Sequence, residues 1–261
     1  MKYKSFIFLM LLIVSLSSYT QDKSKEVEGN IDSLVDRFNE KRVVKNNNGW
    51  FHYFIPKGMA DTLTVKMSCV FEGTQTHPPH SHNEDEAFYI VKGPVNFHIN
   101  NEERILNEGD LIYTPSGSSH NIQRINNETI KYLVIKREWL TILDKPYKVG
   151  KVNYSFDDCY FPSKVYDNLN NQEVVLLNKD FSDGLQITIN KIPENESFSS
   201  KNSLRSQTAI YVIKGSTKID YYGQETVIKE NNTFYCPKGS QFILTNVGNK
   251  SLIILTITTA K

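Results

Sequence analysis

The 261-residue chain has only three cysteines, Cys69, Cys159 and Cys236, so no disulfide framework can be read from it and an odd count cannot pair completely within one chain. Cys69 falls in an alternating apolar stretch and Cys236 at a strand-end turn, positions that suit small buried hydrophobes better than nucleophiles. Charge of one sign is missing too: 30 Lys and Arg stand against 29 Asp and Glu. That balance leaves no footprint for nucleic acid or for an anionic membrane. The longest apolar run, FIFLMLLIVSL at residues 6–16, falls short of the ~20 residues that a membrane-spanning helix needs.

Lys2 and Lys4 precede that run and the small polar residues SSYT follow it, the form of a secretory signal peptide over residues 1–20, cut near Thr20 or at Ser18. No cysteine lies there to carry a lipid anchor. Removal of two lysines takes the net charge from +1 to about −1 (1 − 2), and the mature chain is expected to be exported to the periplasm or beyond, with no stable membrane anchor. Residues 21–49 read as a charged extension with one short helix. Asn30 would cap it, and Ile31, Leu34, Val35 and Phe38 would form an apolar face packed on the domain that follows.

A shift of 122 residues superposes the chain on itself. It places Ala87, Tyr89, Lys92 and Gly93 on Ala209, Tyr211, Lys214 and Gly215, and Tyr113, Pro115 and Gly117 on Tyr235, Pro237 and Gly239. The alternating Leu63, Val65 and Met67 fall on Leu185, Ile187 and Ile189. Repetition at that length means two copies of one fold, expected at residues 50–138 and 172–261. Short period-two strands between turns such as Asn100-Asn101 and Tyr222-Gly223 make each copy an all-β barrel or jelly roll. Residues 139–171 form a linker expected to pack along the first copy or bridge the two, in which Tyr147, Tyr154 and Tyr160 either line a pocket or simply pack.

Chemistry concentrates in the first copy. In GTQTHPPHSHNEDEAFYIVKG, residues 73–93, His80 and His82 are two apart and so share a face of an extended chain, with Glu86 four residues further on. GDLIYTPSGSSHN, residues 109–121, adds His120 after a strand and a Pro/Gly turn. Three imidazoles and a carboxylate suit one divalent transition metal: Fe, Mn, Ni, Co or Zn. Glu86 could be a ligand or a general base, and Glu84 or Asp85 could orient the imidazoles. His98 could face the cavity or solvent, while His52 and His77 read as incidental. At the matching positions the second copy has Asn202, Leu204, Thr208 and Phe242, so it should fold alike without this metal site.

The two stretches resemble the cupin family in the order and spacing of Gly73, His80, His82, Glu86 and Gly93 and of Gly109, Pro115, Gly117 and His120. One departure is Arg124, where an Asn is usual. The run PPHSHNEDEAFYIVKGPVNFHI is similar to that of quercetinase-like bicupins, a resemblance that covers the first copy well and the second only through its fold. It implies two tandem cupin barrels, a metal held by His80, His82, Glu86 and His120, and Glu86 as the catalytic base that deprotonates an enol before dioxygen attack. A dioxygenase acting on a small enolisable or aromatic molecule is the leading expectation. A sugar or uronate isomerase or lyase, to which Arg124 and Tyr113 could contribute, stays open, as does a non-catalytic metal or carbohydrate binder. A homodimer is likewise left open.

Overall fold

The computed structural model describes residues 30–137, 154–166, 173–182 and 184–260. The signal segment, Tyr147 and most of the linker lie outside these. The chain begins with a single helical turn, α1 (Ile31–Leu34), and strand β1 (Val35–Asp36). Nine strands follow: β2 (Val44–Asn46), β3 (Gly49–Ile55), β4 (Leu63–Val70), β5 (Asp85–Lys92), β6 (Val95–Ile99), β7 (Glu102–Leu106), β8 (Leu111–Thr114), β9 (His120–Arg124) and β10 (Ile130–Arg137). After α2 (Phe156–Cys159) and β11 (Tyr160–Phe161) comes the second set: β12 (Glu173–Leu177), β13 (Leu185–Ile192), β14 (Ser197–Lys201), β15 (Ser206–Lys214), β16 (Ser216–Tyr221), β17 (Gln224–Lys229), β18 (Thr233–Cys236), β19 (Gln241–Asn246) and β20 (Leu252–Ala260).

In the first set a seven-stranded sheet, ordered β11-β8-β5-β10-β4-β3-β2, packs on the three-stranded β7-β6-β9. Phe88 of β5 meets Phe97 of β6 across the gap, ring centres 5.1 Å apart. The second set repeats the plan, with β1-β18-β15-β20-β13-β12 against β14-β19-β16-β17 and Phe234 meeting Phe242 edge to face, ring centres 5.3 Å apart. The 122-residue shift carries β4 onto β13 and β8 onto β18 end for end. It also carries the left-handed turns, Asn100 (φ 54°) onto Tyr222 (φ 53°) and Gly117 (φ 84°) onto Gly239 (φ 72°). Both copies thus bend the chain at the same places.

Strand alternation explains how the copies dock. Leu63, Val65 and Met67 of β4 and Leu133 and Ile135 of β10 are buried, and they belong to one apolar cluster with Leu185, Ile187, Ile189, Leu255 and Ile257 of the second set. The large sheets therefore bury one face in the joint, while their opposite faces keep polar residues such as Lys66, Lys136 and Thr188. Polar contacts seal the rim: Gln207 Nε2 donates to Thr62 Oγ1 at 2.9 Å, and Lys238 pairs with Asp61. At about 1.5–3 kcal/mol for each large apolar side chain fully buried, the joint is far stronger than those rim contacts.

Two expectations are corrected here. The N-terminal helix stops at Leu34, because Val35 and Asp36 instead add an edge strand to β18, in register with Phe234 and Thr233. Ile31 is buried in the core of the second set, not the first, and its amide donates to Gln224 Oε1 at 3.1 Å. Phe38 then crosses to the first set, where it packs on Trp50, His52 and Phe54. The β-sheet hydrogen bonds outweigh the helical periodicity of a segment too short to form a stable helix alone. The linker tyrosines in view take the packing role: Tyr154 packs on Phe181, and the Tyr160 hydroxyl donates to Asp110 at 2.9 Å.

Candidate metal centre

The two histidine-bearing stretches are laced together by their backbones. His80 N donates to His120 O at 3.2 Å and His120 N returns a bond to His80 O at 2.9 Å. Gly117, bent into the left-handed conformation that glycine adopts without strain, donates to His82 O at 2.7 Å. Asp85 is buried and accepts from Ser116 N at 2.9 Å, so it ties one stretch to the other and does not orient an imidazole.

The ring acceptors are main-chain carbonyls. His80 Nδ1 lies 3.2 Å from Pro78 O and His120 Nδ1 lies 3.0 Å from Ser118 O. A carbonyl can only accept, so each Nδ1 carries the hydrogen and each Nε2 keeps its lone pair, the tautomer that ligates. The ligand nitrogens of His80, His82 and His120 all fall within 4.8 Å of one another. His80 Nε2 is 2.8 Å from His82 Nε2, and His120 Nε2 is 2.9 Å from Glu86 Oε2, where it makes no hydrogen bond. Lone pairs so close repel unless a proton or cation lies between them. The donor set therefore fits a divalent metal.

The electrostatics keep the set ready. Burial, helped by the neighbouring His77, His120 and His82, pushes His80 down to about 4, and burial likewise lowers His82. Both are neutral at pH 7. Burial alone would raise Glu86, which is 2 % exposed, but a proton shared with the His120 ring and the Lys136 ammonium outweigh it and hold the carboxyl at about 2. Beside these groups is a cavity of about 70 Å³. Phe88, Ile122, Tyr132 and Val134 give it an apolar wall, and Lys66, Lys136 and Asn121 give it a polar one.

His77, read from sequence as incidental, lines this cavity with its ring 4.0 Å from that of His80. Adjacent prolines, Pro78 and Pro79, were the available signal, since they stiffen the path between the two rings. His98 is not among the cavity residues. It alternates with the buried Phe97 and Ile99, and its Nδ1 is buried without a hydrogen-bond partner. His52 is buried against Asp36 at 2.9 Å. Arg124 braces the loop ahead of His80 by donating from Nε to Thr74 O at 2.7 Å, and Tyr113 packs on Phe181, so neither contributes to the cavity.

In the second copy the matching residues have structural work. Asn202 donates from Nδ2 to Cys236 O at 2.9 Å and Pro237 O at 3.1 Å, and Thr208 donates to Asn202 Oδ1 at 2.8 Å. Phe242 is buried in the core, and Leu204 points to solvent, 85 % exposed.

Comparisons with known proteins agree with this geometry. Residues 67–136 match the cupin domain family. The oxalate-binding protein of Thermotoga maritima is 35% identical over 57 residues, 22% of this chain and 47% of that protein, so the match spans about half of that relative. Oxalate decarboxylase from Lactobacillus farciminis, solved as a formate complex, superposes with a TM-score of 0.68 at 14% identity, covering 89% of this chain and 87% of that one. A variant of salicylate 1,2-dioxygenase from Pseudoaminobacter salicylatoxidans gives 0.64 at 11% identity over 80% and 76%. At such identities the two structures establish a shared fold.

Proposed function

This chain carries a cupin domain and has the bicupin fold, and from that premise we propose that it is an exported, metal-dependent enzyme that oxidises a small enolisable or aromatic molecule with dioxygen. The observation that carries the metal is the convergence of the ligand nitrogens of His80, His82 and His120 to within 4.8 Å of one another, with Glu86 Oε2 2.9 Å from His120 Nε2. We assign residues 50–138 to the metal-binding barrel and 172–261 to a barrel that supports it. A bound Fe, Mn, Ni, Co or Zn ion supplies Lewis acidity and, for the redox-active metals, a route for electrons between substrate and dioxygen.

His80, His82 and His120 hold the ion, with Glu86 as the fourth ligand or as the base that takes the substrate's acidic proton. Glu86 is ionised at neutral pH and lies in a buried site where its charge is held by Lys136. Phe88, Ile122 and Val134 exclude water from one side of the cavity. The cavity is far below the ~300–1,000 Å³ of drug-sized pockets, so the reacting part of the substrate is small or enters from the open side. The deciding test measures dioxygen consumption by iron-, manganese- and nickel-loaded protein with enol substrates, with Glu86→Gln as control. Lys66, Lys136 and Asn121 in the wall favour, as the second reading, an isomerase or lyase of a sugar acid. Turnover of an unsaturated uronate without oxygen uptake would replace the first reading with that one.

A further inference from the structure

The cavity holds two ammonium groups for one carboxylate. Lys66 of β4 and Lys136 of β10 stand on adjacent antiparallel strands, and the register opposes Lys66 to Val134 and Lys136 to Thr64. The two lysines are thus diagonal neighbours on one face of the sheet, within reach of each other for long side chains. Both line the cavity with the histidines and Glu86. Lys136 has its partner in Glu86 Oε1. The Lys66 ammonium makes no hydrogen bond or ion pair among the described residues. It has only a looser contact with the rings of Phe51 and Tyr53, each centred 5.8 Å away.

A half-buried cation without a counter-ion is unfavourable, and here burial and the repulsion of Lys136 both weaken its hold on its proton, against the opposing pull of Glu86. Two ammonium groups thus face one carboxylate, and a divalent metal would widen the excess of positive charge. Such a site is completed by an anion. We propose that Lys66 and Lys136 together seat a carboxylate of the substrate, which makes the substrate class of this centre a small organic carboxylate. This deepens the reading of the site as a metal-dependent enzyme and rests on it for the word substrate. The lysine seat itself is built from side chains of this chain alone.

The test is titration calorimetry with oxalate, the smallest dicarboxylate, against its neutral diamide oxamide and against inorganic phosphate. It uses metal-loaded wild type, Lys66→Met and Lys66→Arg, with the metal content of each determined in parallel. Removing a charge-assisted hydrogen bond is expected to weaken oxalate binding about 10- to 100-fold in Lys66→Met. Lys66→Arg should keep most of the affinity, oxamide should bind at least about tenfold more weakly than oxalate to wild type, and metal content should be equal in all three. Oxalate binding by folded Lys66→Met as tight as by wild type overturns the seat, and so does tighter binding of phosphate than of oxalate. Should Lys66→Met fail to fold, Lys66→Gln answers the same question. The same titrations on chelator-treated protein separate the two ideas: absence of metal from the purified protein sinks the enzyme reading, while dependence of oxalate binding on Lys66 still judges the seat.

Discussion

Asn202→Ala should destabilise the protein markedly while leaving its metal content unchanged. Asn202 is buried, 4 % exposed, and its amide group satisfies two carbonyl oxygens, Cys236 O at 2.9 Å and Pro237 O at 3.1 Å, while its oxygen accepts from Thr208. Truncation frees all three. Thr208 Oγ1 can fall back on Thr258 Oγ1, 3.2 Å away, and Pro237 O keeps its bond from Ser240 N at 3.3 Å, so Cys236 O is the carbonyl that loses most. At about 1–3 kcal/mol for a buried polar group left unmade, the loss is expected to be about 1–3 kcal/mol. For a domain of ~200 residues, at about 2–4 °C per kcal/mol, that lowers Tm by roughly 2–12 °C. Asn202→Asp is the sharper variant: it keeps the size but sets a carboxylate oxygen against two carbonyls, so it should be less stable than Asn202→Ala above pH 5. Urea unfolding and thermal melts of the three proteins decide the matter. A loss below about 0.5 kcal/mol for Asn202→Ala, or Asn202→Asp more stable than Asn202→Ala, would refute the donor role.

Purified wild type should contain close to one divalent metal per chain, and His80→Ala/His82→Ala should contain none by elemental analysis. Chelation should lower Tm by roughly 5–10 °C when the metal had been present at about a hundred times its Kd, the ~2.7 kcal/mol of linkage spread over a protein of this size. Metal affinity should fall as pH drops from about 6.5 toward 4, because protons compete for the imidazoles and His80 is held near 4 by burial; a flat profile over that range would exclude histidine ligands. In the metal-free protein the signs agree. His80, depressed in the folded state, lets the unfolded chain bind its proton first, so stability falls between 6.5 and 4, and Glu86, held near 2, adds a further loss below about 4.5, both visible in urea midpoints against pH. Ile31→Ala should cost about 2–3 kcal/mol in thermal melts although it lies outside both repeats, because its side chain is in the second core.

Much of the fold was legible because it is written twice. The strands of one copy recur 122 residues later, and a repeat exposes structure that a single pass of alternating residues leaves ambiguous. The convergence of His80, His82 and His120 was legible for a similar reason, since two spaced motifs had to agree. What escaped was the inside of the barrel. Lys66 and Lys136 sit on the polar side of β4 and β10, and a lysine there ordinarily reads as facing water; only closure against β7-β6-β9 turns that side inward. His77 was missed because it lies outside any spacing rule, and the course of residues 31–38 because the partner that captures them is some 200 residues away in sequence.

That capture bears on the order in which the molecule can assemble. β1, near the start of the described chain, pairs with β18, and β20, near its end, lies in the middle of the same sheet between β15 and β13. That sheet cannot be completed until almost the whole chain has been synthesised, whereas the segment from β2 through β10 carries His80, His82 and His120 and needs nothing made later for those strands to pair among themselves. Folding dominated by such distant pairings is slow, because the entropy of closing the loop is lost before any contact forms. The half that carries the three histidines is free to fold early, and the second half, with the first described segment threaded into it, acts as the closing step that locks both ends of the described chain.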